Sequence, residues 1–120
     1  MNQDSTAPVT ARVKLTLHTG ERFFGPGICE LLEGIRETGS IQAAAAGMEM
    51  SYTKAWRILN RAEREMGVHL IDRQTGGRNG GSSSLTEAGE RAVRDYRAME
   101  ARLSGAANDL LAAYYATFGR

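Results

Sequence analysis

Apolar and polar residues alternate near the start of the chain, over residues 12–18. The apolar set shares one face of an extended segment and the polar set the other: Val13, Leu15 and Leu17 against Lys14, Thr16 and His18. This period of two predicts a half-buried strand. The turn pair Thr19-Gly20 then predicts a short return strand over residues 21–24. Residues 1–10 show no such period, and we expect a disordered leader there.

The period changes to that of a helix after Pro26. Apolar residues recur at helical spacing: Ile28, Leu31, Leu32 and Ile35. Pro26 suits the first turn, where its missing N–H has no intrahelical partner, and Gly39 can adopt the left-handed conformation that ends a helix. A first helix is therefore predicted over residues 27–38. Cys29 has no histidine or basic neighbour in sequence, and we expect a small buried residue rather than a reactive thiol.

Two further helices follow, separated by a tight turn. Ser40 is a typical N-cap for a short alanine-rich helix over residues 42–46, and Ser51 is one for a helix that ends at Gly67. Thr86 is likewise a typical N-cap for the last helix of the chain. The third helix is amphipathic, with Ala55, Leu59, Ala62 and Met66 on one side and Lys54, Arg57, Arg61 and Arg64 on the other. Because small side chains let the second helix approach its neighbours closely, this order predicts a helix-turn-helix.

A glycine-rich loop connects two short strands after the third helix. Residues 68–73 have the apolar, β-branched character of a strand, residues 74–84 are polar and rich in glycine, and Leu85 completes a returning strand. Such a loop is typical of a wing, whose glycines let the backbone approach phosphates, and Arg78 and Asn79 are its candidate DNA contacts. An inert linker is one alternative. A nucleotide-binding loop is disfavoured, because no Lys-Ser/Thr pair follows the glycines.

The last helix carries apolar residues at alternating steps of four and three: Ala92, Tyr96, Met99, Leu103, Ala106, Leu110 and Ala113. Three heptads of this spacing favour a left-handed coiled coil. We therefore expect residues 87–120 to form a dimerisation helix, with all of these positions except Ala92 in the interface. In the alternative, this helix folds back over its own domain and buries Tyr114, Tyr115 and Phe118.

Cysteine content and charge narrow the class of protein. One cysteine excludes an internal disulfide, the N-terminus lacks the features of a secretory signal, and no apolar run approaches the roughly 20 residues that cross a bilayer. We therefore expect a cytoplasmic protein without membrane contact. The net charge is only +1, but residues 51–81 carry six Lys/Arg against three Asp/Glu. This excess lies where a phosphate-binding surface requires it, although a solvated helix face is the alternative.

Together these elements predict a mainly α fold with a small β component. We expect a winged helix-turn-helix over residues 11–86, beginning with a strand or hairpin, and a long C-terminal dimerisation helix packed on the same domain. No enzyme is expected, because no recognisable motif places a nucleophile beside a base. His18 and His69 are single histidines without carboxylate support, so we expect neither a metal site nor a cofactor.

The N-terminal end of the third helix is the expected DNA-reading element. In helix-turn-helix complexes this end of the second helix of the motif enters the major groove of double-stranded DNA. It carries Ser51, Tyr52, Thr53, Lys54 and Arg57. Lys54 and Arg57 are the candidates for reading guanine O6 and N7, and Ser51 would orient the helix end towards a phosphate. For Tyr52 and Thr53, the sequence does not distinguish contact with a thymine methyl from contact with a phosphate.

Other basic residues are expected to position the protein on the phosphate backbone, namely Arg61, Arg73 and Arg78. Trp56 lies one step off the apolar side of the helix, which favours packing over direct DNA contact. A second class of function stays open: a winged-helix module that binds another protein and has little affinity for DNA. The basic side of the third helix favours DNA, since protein-binding surfaces more often present aromatic or aliphatic anchors.

Four stretches within roughly residues 12–118 form a recognisable set: V-K-L-T-L-H-T-G-E-R-F-F, G-S-I-Q-A-A-A-A-G-M-E-M-S-Y-T-K-A-W-R-I-L-N, T-G-G-R-N-G-G and L-T-E-A-G. They resemble the N-terminal DNA-binding domain of the molybdate-responsive ModE regulators and, more distantly, the helix-turn-helix of LysR-type regulators. The most specific parts are S-Y-T-K-A-W and the glycine-rich wing. The resemblance implies a homodimer held by the first strand region and the last helix, with one recognition helix per subunit in a major groove.

Members of the ModE family continue into molybdate-binding domains, whereas this sequence ends at Arg120. From the resemblance we therefore expect an effector to act through a separate effector-sensing protein or through a ligand bound to this domain. Regulation by the abundance of the protein is the third route that the resemblance leaves open.

Overall fold

Helices dominate the chain, and two antiparallel hairpins join them. The computed structural model describes residues 7–74 and 82–119. The elements in chain order are β1 (Leu17–Thr19), β2 (Glu21–Phe24), α1 (Pro26–Thr38), α2 (Ile41–Gly47), α3 (Tyr52–Met66), β3 (Ile71–Gln74), β4 (Ser82–Leu85), α4 (Glu87–Ala113) and α5 (Tyr115–Phe118). β1 pairs with β2, and β3 pairs with β4. The predicted fold class, a winged helix-turn-helix with a long C-terminal helix, is confirmed.

The first strand is shorter than predicted. β1 begins at Leu17, and among the described residues the segment before it has no strand partner, so the prediction is wrong for that segment. Instead the N–H of Ala11 donates to Asn108 Oδ1 at 2.8 Å, and the Asn108 amide donates back to the Ala11 carbonyl at 3.0 Å. The N–H of Val13 donates to Ser104 Oγ at 3.4 Å. The segment is thus half-buried, and side chains of α4 bind part of its backbone.

The predicted serine caps and helix-ending glycines of the first three helices are confirmed, whereas the last helix, expected over residues 87–120, ends at Ala113 and is followed by α5. The hydroxyls of Ser40 and Ser51 accept hydrogen bonds from the backbone N–H three residues later, at 3.0 Å and 3.1 Å. These caps satisfy one of the four N–H groups that each helix start leaves without an intrahelical partner. Gly39 and Gly67 end α1 and α3 with φ of 73° and 71°, in the left-handed region that glycine favours.

The core is built around α1, which packs against α2, α3 and α4. A Cβ added to Gly34 would lie 3.0 Å from Ala44 Cβ, so small residues let α1 and α2 approach closely, as predicted. Cys29 is fully buried among the helices, which confirms its predicted role, and burial raises the pKa of its thiol to about 11. No helix within the described residues is long and apolar enough to cross a bilayer.

Tyr96 belongs to this core rather than to a surface between two chains. It is 1% exposed in the single chain, its ring centroid lies 5.3 Å from that of Phe24, and its hydroxyl donates to the Leu15 carbonyl at 2.8 Å. The expectation that Tyr96 faces a second copy is therefore wrong, because the first half of α4 packs on its own domain. Beside it, Arg97 donates to both carboxylate oxygens of Glu33 on α1, at 2.8 and 3.0 Å.

The start of α4 is hydrogen-bonded to the residues just before β3. Thr86 caps α4 by accepting from the Gly89 N–H at 3.0 Å, and its hydroxyl donates to the His69 carbonyl at 2.6 Å. The Thr86 N–H donates to the Leu70 carbonyl at 3.0 Å. Since these carbonyls bind Thr86, β3 begins at Ile71, three residues later than predicted. A Cβ on Gly89 would lie 2.2 Å from the Leu70 oxygen, which explains the glycine of the L-T-E-A-G stretch.

Replacing Gly89 with alanine is expected to lower the free energy of unfolding by about 1–3 kcal/mol, because the added methyl group meets a backbone oxygen that cannot rotate away. Gly47→Ala is the matched control, since a Cβ there meets nothing within 4 Å. It should leave the stability unchanged or raise it by up to about 1 kcal/mol. Denaturant unfolding followed by circular dichroism measures both, and equal stability of Gly89→Ala and the unsubstituted chain would contradict this packing.

Candidate nucleic-acid interface

The N-terminal end of α3 projects from the core. Ala55, Leu59 and Ala62 are fully buried on one side of the helix. The residues predicted to read DNA are exposed, and the structure brings them together at one helix end: Ser51, Tyr52, Thr53, Lys54 and Arg57. No acidic side chain occupies the first turn. This end therefore combines two exposed cations with the positive end of the helix dipole, an arrangement that attracts anions.

One side of α3 contacts the second hairpin through Trp56. The guanidinium carbon of Arg73, on β3, lies 3.8 Å from the centroid of the Trp56 ring. Arg73 Nη2 also lies 3.8 Å from Glu63 Oε1, and the Arg73 side chain is only 28% exposed. The predicted packing of Trp56 is confirmed, since the ring is partly buried against the core. Arg73 fills the space between helix and wing, and its expected phosphate contact stays a prediction.

Glu63 is a structural anchor that the sequence does not reveal. Its Oε2 accepts hydrogen bonds from the N–H groups of Leu70 and Ile71, at 2.8 Å and 3.2 Å. Its side chain is 11% exposed. One carboxylate therefore fixes the start of β3 relative to α3. In the sequence Glu63 resembles the other charged residues of an amphipathic helix, because its partners belong to the segment that follows.

The other side of α3 contacts the first hairpin. Arg61 Nη1 donates to Glu21 Oε1, and the Thr19 hydroxyl donates to Glu65 Oε1 at 2.6 Å. The hydrogen bond from Arg61 holds the pKa of the Glu21 carboxyl below its usual range. Residues 63 and 65 lie about 200° apart around a helix, so the two hairpins flank α3 on nearly opposite sides. Arg61 is thus paired within the chain, and its expected phosphate contact stays a prediction.

The base of the wing is held in place by its own pairing and by α1. β3 and β4 pair in register, and the Ser83 N–H donates to the Gly39 carbonyl at 2.8 Å. Arg78 and Asn79 lie outside the described residues. Their expected DNA contacts therefore stay predictions.

The second half of α4 exposes most of the predicted interface. Apart from the buried Tyr96, all positions of the predicted interface are exposed: Met99, Leu103, Ala106, Leu110 and Ala113. Tyr114, Tyr115 and Phe118 are between 48% and 63% exposed. The alternative in which the helix folds back and buries these three aromatic residues is therefore wrong for the single chain.

Trp56 is the only tryptophan of the chain, so its fluorescence reports on the contact between α3 and β3. Arg73→Ala is expected to shift its emission maximum to longer wavelength, because removing the guanidinium exposes the indole to water. Arg64→Ala is the control: it removes the same charge from α3, and Arg64 pairs with its neighbour Glu65 at 3.8 Å. Identical spectra for Arg73→Ala and the unsubstituted chain would contradict the stacking.

The geometry agrees with comparisons to known proteins. Residues 29–90 match the family of bacterial regulatory helix-turn-helix proteins of the lysR type. The chain is 38% identical over 87 residues to the transcriptional regulator ModE of Yersinia pestis, covering 72% of this chain and 33% of that protein. It is 36% identical over 100 residues to the molybdenum transport protein ModE of Azotobacter vinelandii, covering 83% and 37%. The chain thus spans about a third of the length of these relatives.

A solved structure shares the arrangement of elements. The crystal structure of the CbnR_DBD–DNA complex superposes with a TM-score of 0.55 and 26% sequence identity, over 73% of this chain and 94% of that chain. The family match begins within α1 and ends in the first turn of α4, so it includes α2, α3 and the second hairpin. The chain therefore belongs to the lysR family of bacterial regulatory helix-turn-helix proteins.

Proposed function

We propose that the chain binds specific sequences of double-stranded DNA as a homodimer and regulates transcription in the cytoplasm. The exposed N-terminal end of α3, with Lys54 and Arg57 and no acidic residue in its first turn, carries the proposal. Membership of a regulatory helix-turn-helix family and similarity to a DNA-bound domain support it. A relative named as a transcriptional regulator supports a role without catalysis.

In this proposal, α3 lies in the major groove with its first turn at the base edges. Arg57 can donate two parallel hydrogen bonds to guanine O6 and N7. Lys54, about one turn earlier in α3, can donate to the same kind of acceptor. The Tyr52 ring meets the Trp56 ring edge-on, with centroids 6.1 Å apart. Tyr52 is therefore held on the wing side of the helix, where a thymine methyl and a phosphate are both within the reach of such a side chain.

Exposed apolar side chains along α4 support the homodimer. Met99, Leu103 and Leu110 are 42%, 41% and 63% exposed in the single chain. Pairing two α4 helices along this side would remove these residues, with Ala106 and Ala113, from water. The N-terminal segment, hydrogen-bonded to Asn108 and Ser104, lies beside the same helix and would extend the contact.

A twofold dimer would present two α3 helices to one face of the duplex. We therefore propose an inverted-repeat operator whose half-site centres lie about 34 Å apart, one helical turn, or a multiple of it. A separate effector-sensing partner stays a prediction of the resemblance to the ModE family.

Lys54→Ala is expected to lower the affinity for the operator about 5- to 150-fold, the equivalent of the 1–3 kcal/mol that one base contact contributes. The operator is first selected from a random DNA pool, and fluorescence anisotropy then compares it with a scrambled duplex. Arg94→Ala is the control, because it removes one charge from α4, where Arg94 pairs with its neighbour Asp95. The melting temperature should not change in either variant.

Three results would contradict parts of this proposal. An equal loss of affinity for both duplexes would make Lys54 a phosphate contact. A large loss of thermal stability would make it a packing residue. No enriched sequence in the selection would reject specific DNA binding and would favour a module that binds another protein.

Leu110→Lys is expected to convert the dimer to a monomer, because the substitution places a charge within the paired apolar side. Ala112→Lys introduces the same residue two positions later, about 200° around the helix, and should leave the dimer intact. Sedimentation velocity at micromolar concentration distinguishes the two states. A monomeric unsubstituted chain, or a dimeric Leu110→Lys variant, would overturn the proposed interface.

A further inference from the structure

A second group of basic residues extends from the N-terminal half of α3 to the first hairpin, away from the wing. The first hairpin, the first turn of α1 and the middle of α3 border a cleft with a volume of about 480 Å³. Four cationic side chains line it: Lys14, Arg22, Arg57 and Arg61. They come from three separate parts of the chain, so the excess of charge on residues 51–81 does not reveal this group.

The charge of the cleft is only partly balanced. Arg61 pairs with Glu21, whereas Lys14, Arg22 and Arg57 form no ion pair with other residues in the described part of the chain. Like charges that share one cleft repel each other, and a bound anion relieves the repulsion. Lys14 and Arg22 are both exposed and therefore accessible to a large anionic partner.

The cleft lies on the side of α3 that is opposite to the wing. Trp56 contacts Arg73 of the wing, and Arg61 contacts Glu21 of the first hairpin. These two positions on α3 are about 140° apart around the helix. A helix in the major groove, which is about 12 Å wide, has one sugar-phosphate strand on each side. If the wing meets one strand, the first hairpin is on the side of the other.

We propose that Lys14 and Arg22 bind phosphates of the DNA strand opposite to the wing. Arg57 connects the two surfaces, because it lines the cleft and belongs to the reading end of α3. The cleft thus extends the proposed DNA-binding surface to the first hairpin and the segment before it, and its contacts position the helix without reading bases. This inference rests on the proposed DNA-binding function.

The salt dependence of DNA binding tests this role. Arg22→Ala and Lys14→Ala are each expected to reduce the magnitude of the slope of log K against log[salt] by about 1, equally for the selected operator and a scrambled duplex. Arg22→Lys keeps the charge and should keep the slope. Arg94→Ala removes a charge from α4, outside the residues that line the cleft, and should also keep it. Thermal melting of every variant verifies that the fold is intact.

The outcomes separate this inference from the proposed function. Unchanged slopes in both Arg22→Ala and Lys14→Ala, with normal DNA binding by the unsubstituted chain, would overturn the inference alone. No DNA binding by the unsubstituted chain would reject both. Thermal melting in inorganic phosphate at constant ionic strength is a further test. If phosphate raises the melting temperature of the unsubstituted chain but not of Arg22→Ala, and the slopes are unchanged, the cleft binds a free anion and the inference is wrong.

Discussion

The backbone of Leu70 joins α3, the second hairpin and α4. Its N–H donates to Glu63 on α3, its carbonyl accepts from Thr86 at the start of α4, and its side chain is fully buried. β3 begins at the next residue. The orientation of the wing and the direction in which α4 leaves the domain therefore depend on the same few hydrogen bonds. In the proposed dimer, this junction would relate the separation of the two recognition helices to the angle of the wing.

The sequence predicts the helices and their ends well, because local chemistry determines them. Serine caps and left-handed glycines act within a few residues, and both features are found where expected at Ser40, Ser51, Gly39 and Gly67. The spacing of apolar residues says less about the fold. It indicates which side of a segment is buried but not which partner buries it. The heptad positions of α4 therefore include Tyr96, although the domain's own core buries that residue.

The candidate site also has features that the sequence predicts and features that it does not. The exposure of Lys54 and Arg57 follows from the amphipathic spacing of α3. The anchoring by Glu63 and the stacking of Arg73 on Trp56 depend on contacts between α3 and β3, which periodicity does not contain. The cleft beside Arg22 requires the first hairpin to return to α3, and no motif marks that contact.

The residues that hold α3 in place are different from those proposed to read DNA. Trp56, Arg61 and Glu63 bind the two hairpins, whereas the side chains of Thr53, Lys54 and Arg57 make no hydrogen bond or ion pair elsewhere in the described residues. If the proposed reading positions contact bases, a change of base preference can evolve there while the contacts that orient α3 stay the same. For protein engineering, the same separation defines a small randomisation library on a fixed scaffold.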